Sequence, residues 1–533
     1  MRSPRRLLRP LGICFALTAA VAVGCGGDEA ARSPSGGGER PRLVVIGVDG
    51  GEWSVIEDLW AQGRLPHLRA LAGRGVSARL ETGYGVSPII WTTIATGVTP
   101  ERHGITGFVA PTGKGDVPVS STMRRVPALW NMLSTAERRV AVVGWWASWP
   151  AEPVNGVVIS DRALMNLEQR VFPAEHLPSL IREIEAAKDE PRWFPGDEAG
   201  LDRDEVAARC AVDLASKDYD LLLVYFRGVD IMSHRYWKYY RPENFASVPA
   251  GEIEAYRGMI PGIYEAMDAA IGAIVAAAGP RANVLVISDH GFLALDHERK
   301  RIKLSLDLVL ERLGYLSRGA EGVDFTRTRV YSYASADHKP AKLVRFALAG
   351  REPGGKVRPE DRAAVRENLA ADLAGITYTT GTRAFRVRDA GPGEVKRGGD
   401  LVVEVLADAP TRELLIEGEP FGVAVERFWT ISGGHLPDTA GIFLASGPDI
   451  DPGARIEGIG IHDMTPTILA ALGLPVAEDF DGRAWTELFT SGFRARHPLQ
   501  AIASWGARQA GEATPSEADE DLLDELRGLG YIQ

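Results

Sequence analysis

Three predicted strands each lead into an aspartate, and histidine accompanies two of them. The side chains are Asp49, Asp230 with His234, and Asp289 with His290. In an open parallel sheet, ligands bind outside the carboxyl ends of the strands, so these residues should meet at one edge. Three carboxylates at one edge repel each other unless cations lie between them. Aspartate and histidine are ligands of zinc and similar ions, and the pattern therefore predicts a metal site.

A single strand-end aspartate more often caps a helix or turns the chain, so a metal site requires elements that bring all three aspartates together. Five continuous apolar runs predict strands covered on both faces, at residues 43–48, 139–144, 220–226, 283–287 and 441–445. Helical patterns alternate with them, at residues 66–74, 127–137, 205–217, 264–278 and 465–472. The alternation predicts an α/β fold with a doubly wound, mostly parallel sheet and helices on both faces.

Residues 302–430 differ in composition from the rest of the body. They contain more Arg and Gly, one helical pattern at 359–374, and short candidate strands at 377–388 and 401–406. We interpret this stretch as an insertion or cap beside the sheet. The predicted organisation of the body is a catalytic core at 41–301 and 431–505, the insertion at 302–430, and a C-terminal tail at 506–533.

The first forty residues are typical of an export signal. Four arginines precede an apolar segment, residues 11–23, that is too short for a stable membrane span. It ends in Ala-Val-Gly before Cys25, which resembles the lipobox of bacterial lipoproteins. That resemblance implies removal of residues 1–24 and lipidation of Cys25, with residues 25–40 as a flexible tether. An ordinary signal peptide is the alternative.

The same resemblance implies a location. Position 26 is Gly rather than Asp, which by lipoprotein sorting rules favours the outer membrane if the cell has one. We therefore expect an exported lipoprotein of the cell envelope, at the outer membrane or facing the periplasm.

Composition excludes several classes of protein. Of 533 residues, 45% are hydrophobic and 25% are charged, which excludes a disordered chain and a polytopic membrane protein. The formal net charge of -11 argues against nucleic acid as a structural partner. Three cysteines cannot form a disulfide framework, and Cys210 is interpreted as a buried, inert thiol. No obligate protein partner is indicated.

Several short motifs follow one another in a fixed order. They are residues 46–50, 87–97, 103–105, 230–234, 288–291, 433–435, 463–469 and 481–482. In this order they resemble the alkaline phosphatase superfamily, in particular its type I phosphodiesterase/nucleotide pyrophosphatase branch and a related predicted phosphohydrolase/phosphomutase group. Each motif is weak alone, and the order makes the signal specific.

The resemblance implies two divalent metal ions, zinc first and manganese second. The implied ligand sets are Asp49, Asp289 and His290 for one ion, and Asp230, His234 and His435 for the other. Two divalent ions about 4 Å apart can hold the attacking and the leaving oxygen of a phosphoryl displacement. An anionic phosphoester is then the expected substrate, even on an acidic protein.

The resemblance also implies a hydroxyl nucleophile, which falls on Ser87. The competing hydroxyls are Thr92 and Thr93, for which helix capping or packing is the alternative. Nucleotide pyrophosphatases carry an asparagine shortly after the nucleophile that steadies a phosphoryl oxygen, and here that position is Ile90. We expect backbone amides at the start of a helix over residues 91–97 to bind the oxygen instead.

Two histidines and an aromatic cluster are weaker candidates. We interpret His103 and His462 as structural. For Trp145, Trp146 and Trp149 core packing is the default, and a wall that stacks on the substrate is the alternative.

The predicted function is metal-dependent hydrolysis of phosphodiesters or phosphomonoesters through a covalent phosphoserine. A sulfatase of the same superfamily needs Cys or Ser followed by x-Pro-x-Arg, and residues 87–90 lack that pattern. Transfer of the phospho group to a cell-envelope acceptor is a further alternative. A tethered binding protein without activity is the last, and metal content distinguishes it from the enzymes.

Overall fold

An eight-stranded mixed sheet is the centre of the computed structural model of this chain. The structure describes residues 42–112, 115–189, 201–304, 306–319, 322–335, 341–396, 398–406, 414–416, 418–422, 425–519, 522–523 and 526. In chain order the sheet strands are β1 (Arg42–Val48), β2 (Gly75–Leu80), β3 (Val140–Val143), β4 (Gly156–Ile159), β5 (Val171–Phe172), β6 (Leu221–Phe226), β7 (Ala282–Ile287) and β8 (Gly441–Ser446).

The strands lie side by side in the order β2-β8-β7-β1-β6-β3-β4-β5. The five from β7 to β4 are parallel, which confirms the predicted class. β8 runs antiparallel to both β7 and β2, and β5 runs antiparallel to β4. The chain enters β8 at the carboxyl end of β7, where the Ser288 amide donates to the Ile442 carbonyl, and β8 therefore runs back along β7.

Helices cover both faces of the sheet. Alternate residues of β1 point to opposite faces, so that Val44 and Ile46 join one hydrophobic cluster while Leu43 and Val45 join the other. In chain order the α-helices are Trp53–Ala61, Pro66–Ala72, Ser87–Thr96, Pro100–His103, Leu129–Thr135, Leu177–Asp189, Leu201–Ala215, Gly228–Tyr240, Ala250–Tyr256, Met259–Ala278, Leu306–Arg312, Arg362–Ala374, Pro392–Lys396, Met464–Ala471 and Ser491–Arg496.

The longest helix of the described residues, Met259–Ala278, belongs to the core. The stretch Ala250–Ala278 is long and apolar enough to cross a membrane, but half of its most apolar window is buried inside the protein. Ile263, Met267 and Ile271 pack into the cluster on one face of the sheet. A buried core helix accounts for this composition.

The residues after β7 build a separate hydrophobic cluster, with members from Leu306 to Phe421. Two long antiparallel strands, Leu293–Leu304 and Val425–Gly434, pair where the chain leaves and rejoins the sheet region. The remaining strands are Val109–Thr112, Gly115–Pro118, Arg318–Gly319, Gly322–Val323, Val330–Ser335, Ala341–Phe346, Ile376–Tyr378, Phe385–Asp389, Leu401–Val405, Leu414–Ile416, Glu419–Gly422, Val476–Ala477 and Ala501–Ile502.

One detail differs from the sequence prediction. The single strand predicted at 377–388 is two strands in different sheets, because a turn at Gly381 with a φ of 82° separates them. The boundaries of the insertion and the tail stay predictions. The signal peptide and the tether, including Cys25, lie outside the described residues.

Candidate active site

The carboxyl ends of three adjacent strands bring the acidic residues together. β1 leads into Asp49, and its neighbour β7 leads through Ser288 into Asp289 and His290. On the other side of β1, β6 leads into the helix Gly228–Tyr240, which carries Asp230 in its first turn and His234 one turn later. The edge of the sheet therefore gathers residues that are up to 241 positions apart in the chain.

The first cluster consists of Asp49, Asp289 and His290, all buried, each with one ligand atom within 4.8 Å of the others. His290 Nε2 lies 3.4 Å from Asp49 Oδ1 and 3.4 Å from Asp289 Oδ2. His290 Nδ1 lies 2.9 Å from the Gly291 carbonyl, to which it donates a hydrogen bond, so that Nε2 points into the cluster as the ligand atom. The Gly50 amide orients Asp289 through a bond of 3.2 Å to Oδ1.

The second cluster consists of Asp230, His290 and His435. The rings of His290 and His435 stack with centroids 3.5 Å apart. His234 lies beside this cluster, with its Nε2 3.3 Å from Asp230 Oδ1 and its Nδ1 2.9 Å from the Gly433 carbonyl. All six predicted ligands thus come together. His290 belongs to both clusters. The family-based assignment instead gave His234 as the third ligand beside Asp230 and His435.

The donor atoms of these clusters fit a divalent cation. Five buried atoms of these clusters have no hydrogen-bond partner among the described residues: both oxygens of Asp230, Asp289 Oδ2, His290 Nε2 and His435 Nδ1. Burying a carboxylate without a hydrogen-bond partner costs free energy, and a bound cation would supply the missing interaction. Oxygen and nitrogen ligands in this mixture are those of zinc and related ions.

The protonation of the first cluster reflects crowded negative charge. Burial raises the pKa of Asp49, but the adjacent His290 and the hydroxyl of Tyr225 together hold it below its usual value. Burial and the charge of Asp49 raise the pKa of Asp289 well above its usual value. Burial lowers the pKa of His290, but the surrounding carboxylates, Asp289 first, raise it to about 10. A bound cation would neutralise this charge in place of a proton.

Ser87 is the predicted nucleophile that lies against the first cluster. Its Oγ donates to Asp49 Oδ1 over 3.5 Å, and its side chain is buried. Thr93 is occupied elsewhere, since its Oγ1 lies 3.1 Å from His103 Nε2. Thr92 and Thr93 are five and six residues further along the same helix, about 7 to 9 Å along its axis. The geometry therefore separates the serine from both threonines.

His103 is a buried partner of that helix. Its Nδ1 accepts from the Ile105 amide over 3.1 Å, so Nε2 carries the hydrogen and donates to Thr93. Burial, with the charge of Arg124, lowers the pKa of His103 to about 3, and the ring is neutral. His462 lies against Tyr84, and neither histidine belongs to a metal-compatible cluster of the described residues.

The aromatic cluster divides into core and surface members. Trp145 is buried, with its ring edge-on to Trp91 at 5.1 Å and its Nε1 bonded to the Trp91 carbonyl. Trp149 lies under the guanidinium of Arg162 at 4.3 Å. Only Trp146 is partly exposed, and it lines a cavity.

Sequence reasoning missed Tyr225. Its hydroxyl donates a hydrogen bond to Asp49 Oδ2 and accepts one of 2.8 Å from Trp146 Nε1. Tyr225 thereby fixes the oxygen of Asp49 that faces away from Ser87. The signal in the sequence is a phenol near the end of an otherwise apolar buried strand, because such a hydroxyl needs a partner.

A family model decides where this chain belongs. The model for type I phosphodiesterase / nucleotide pyrophosphatase matches residues 43–410, more than half of the chain. The chain belongs to this family. Its members are phosphoric ester hydrolases, as the sequence motifs predicted.

Solved structures of low sequence identity are similar to the chain. Murine ectonucleotide pyrophosphatase / phosphodiesterase 5 is 15% identical, with 84% of this chain and 100% of that chain covered at a TM-score of 0.42. Phosphonoacetate hydrolase from Sinorhizobium meliloti 1021, in complex with phosphonoformate, is 14% identical, with 81% and 96% covered at a TM-score of 0.41. No curated protein matches the sequence significantly.

The helix that carries Ser87 starts earlier than the sequence predicts. The helix begins at Ser87 rather than at residue 91, with Pro88 at its second position. The amides of Ile89 and Ile90 both donate to the Val86 carbonyl, and the Ile90 side chain is buried in the core. The amide aimed past the helix start is therefore that of Ser87 itself, since Pro88 has none.

Proposed function

We propose that this phosphoester hydrolase works by in-line displacement, with Ser87 as the nucleophile and two divalent cations in the clusters at the sheet edge. The observation that carries the proposal is the hydrogen bond from Ser87 Oγ to Asp49 Oδ1. The same carboxylate oxygen lies 3.4 Å from His290 Nε2, so the hydroxyl adjoins the first cluster directly.

The residues that would hold the cations are those with unsatisfied donor atoms. Asp49, Asp289 and His290 would hold the cation beside Ser87, and Asp230 and His435, with His234, would hold the other. Zinc fits this donor set best, and manganese is the second choice. Bound there, such cations make a hydroxyl easier to deprotonate and offset the charge of a phosphoryl group.

Each residue then has a defined task. Asp49 Oδ1 orients the Ser87 hydroxyl and is the nearest base for its proton. Ser87 Oγ forms a bond to phosphorus while the bond from phosphorus to the ester oxygen breaks, and the alcohol leaves with a proton from water. A water molecule then cleaves the phosphoserine, which restores the hydroxyl and releases the phosphate or phosphomonoester. The positive end of the helix that starts at Ser87 stabilises the charge on the phosphoryl oxygens.

The test is turnover of model esters by the full-length protein in detergent, with zinc or manganese added. We expect release of p-nitrophenolate from p-nitrophenyl phosphate or bis(p-nitrophenyl) phosphate, and none from p-nitrophenyl sulfate. Ser87→Ala should lower the chemical step by orders of magnitude, whereas Thr92→Ala and Thr93→Ala should cost far less. Near-wild-type turnover of Ser87→Ala, or a preference for the sulfate ester, would overturn the proposal.

We also infer that the enzyme is a lipoprotein of the cell envelope. Two features support this inference. Small residues precede Cys25, as in a lipobox, and the polar residues 26–40 that follow it fit a flexible tether. The tether contains no proposed metal ligand, so the anchor would determine where the enzyme lies, and catalysis would need only the folded body.

A further inference from the structure

Glu52 is a buried acid beside the candidate active site that is neither a candidate ligand nor a candidate nucleophile. It follows Asp49 by three residues, and only 8% of its surface is exposed. Its backbone amide donates to the hydroxyl of Tyr264 over 2.9 Å, which ties it to the core helix Met259–Ala278. A buried carboxylate costs free energy unless its oxygens are hydrogen-bonded, so the partners of its two oxygens show what it holds in place.

One of the two oxygens caps a helix. Glu52 Oε1 accepts from the Ser54 amide over 2.9 Å, at the start of the helix Trp53–Ala61. Ser54 is exposed, so water can replace this bond. Helix capping therefore accounts for only one oxygen of the carboxylate.

The other oxygen lies against the loop that carries His290. Glu52 Oε2 accepts from the buried Phe292 amide over 3.0 Å. A Cβ atom at Gly291 would lie 2.4 Å from the same oxygen, which is too close for a side chain. The carboxylate therefore fits against this loop because residue 291 is glycine.

The peptide group between Gly291 and Phe292 connects Glu52 to His290. Its N–H donates to Glu52 Oε2, and its carbonyl accepts from His290 Nδ1 over 2.9 Å. A charged acceptor on the N–H fixes the plane of the peptide group and polarises it, which makes the carbonyl a stronger acceptor. His290 is thereby held in the tautomer and orientation that point Nε2 into the candidate metal clusters.

Two further bonds join the same two loops. The Gly50 amide donates to Asp289 Oδ1 over 3.2 Å, and the Gly51 amide donates to Ser288 Oγ over 2.8 Å. These two contacts use the backbone of the first loop, whereas Glu52 makes its contact through its side chain. A substitution of Glu52 can therefore remove one contact and leave the other two in place.

We propose that Glu52 is a positioning residue of the candidate metal site: through the Gly291–Phe292 peptide group it holds His290 as a ligand. The inference rests on the proposed function, because it takes His290 to bind a divalent cation. Glu52 acts through the peptide group and belongs to neither metal-compatible cluster of the described residues.

Two substitutions of Glu52 separate the roles of its oxygens. Glu52→Asp keeps the charge and a good helix cap, but its side chain is shorter by one carbon–carbon bond of about 1.5 Å and no longer reaches the Phe292 amide. Glu52→Gln keeps the length. Its amide oxygen should face the buried Phe292 amide, because the exposed Ser54 amide can bond to water.

The readout is zinc affinity of the full-length protein in detergent, measured by competition with a chelator. We expect Glu52→Asp to bind zinc about tenfold more weakly than the wild type, the low end of the effect of losing the support of a metal ligand. Glu52→Gln should stay within about threefold of the wild type, because a neutral acceptor is weaker than a carboxylate but remains in place.

Thr490→Ala is the matched control for a loss of stability. Thr490 Oγ1 caps the helix Ser491–Arg496 by accepting from the Phe493 amide over 3.3 Å, and it belongs to neither metal-compatible cluster. Chemical unfolding of the zinc-free protein should show lower stability for Thr490→Ala and for Glu52→Asp. Only Glu52→Asp should also bind zinc more weakly.

The outcomes separate the positioning role from the proposed function. If the wild type binds zinc and hydrolyses esters while Glu52→Asp binds zinc as tightly, the positioning role is wrong and the function stands. If Glu52→Gln or Thr490→Ala loses as much zinc affinity as Glu52→Asp, the effect does not come from the bond to Phe292, and the role is wrong as well. If the wild type binds no divalent cation and hydrolyses no ester, the proposed function fails and the positioning role fails with it.

Discussion

Replacement of Tyr225 by phenylalanine removes one hydroxyl from the support of the candidate metal site. Tyr225 and Asp49 are both buried, so water does not easily replace the lost bond to Asp49 Oδ2. A hydrogen bond to a charged group contributes about 1.5–3 kcal/mol. On that basis Tyr225→Phe should weaken zinc binding by about 10- to 100-fold, the usual effect of losing the partner of a metal ligand. The ring keeps its packing against Trp91 and Trp145.

The assay is zinc affinity, measured by competition with a chelator of known affinity. Trp146→Phe is the graded control, since it removes the donor to Tyr225 but leaves the bond from Tyr225 to Asp49 in place. We expect a smaller loss in this variant. Zinc affinity within twofold of the wild type in Tyr225→Phe would refute the view that Asp49 is a ligand held by this tyrosine.

Three further predictions concern metal content, location and pH. Elemental analysis should find about two ions per chain after reconstitution, and Asp289→Asn should lose at least one; less than half an ion per wild-type chain would contradict the site. Labelled fatty acid should enter the wild type but not Cys25→Ser, and an unlabelled, soluble wild type would exclude the anchor. Burial raises the pKa of Asp204 to about 7, so its carboxyl favours folding most below pH 4 and that stability is lost as the pH rises towards 7. The loss is roughly 4 kcal/mol for about 3 pKa units; in chemical unfolding between pH 4 and 7, Asp204→Asn should flatten the slope, and an unchanged slope would disprove this role.

The sheet and its functional edge could be predicted because their signals are local. Continuous apolar runs identify buried strands, and Asp49 and Asp289 follow such runs directly. Once the strands are parallel neighbours, their carboxyl ends must meet. The family motifs then supplied His435, which no pattern of strands would have placed.

Other features depend on contacts between distant residues, and the sequence does not encode them locally. The direction of β8 follows from the end of β7 at which the chain returns to the sheet. His290 stands between both clusters because its ring stacks on that of His435, which is 145 residues away. The helix starts at Ser87 because the Val86 carbonyl accepts from Ile89 and Ile90, a detail that apolar periodicity does not show.

The most direct test of the central claim is to trap the covalent intermediate. The zinc-loaded wild type should be mixed with a good ester substrate, quenched in acid during turnover, and mapped by mass spectrometry after proteolysis. We expect phosphate on Ser87 in the wild type and none in Ser87→Ala. Phosphate on Thr92 or Thr93, or rapid turnover with no phosphorylated residue at any quench time, would contradict it.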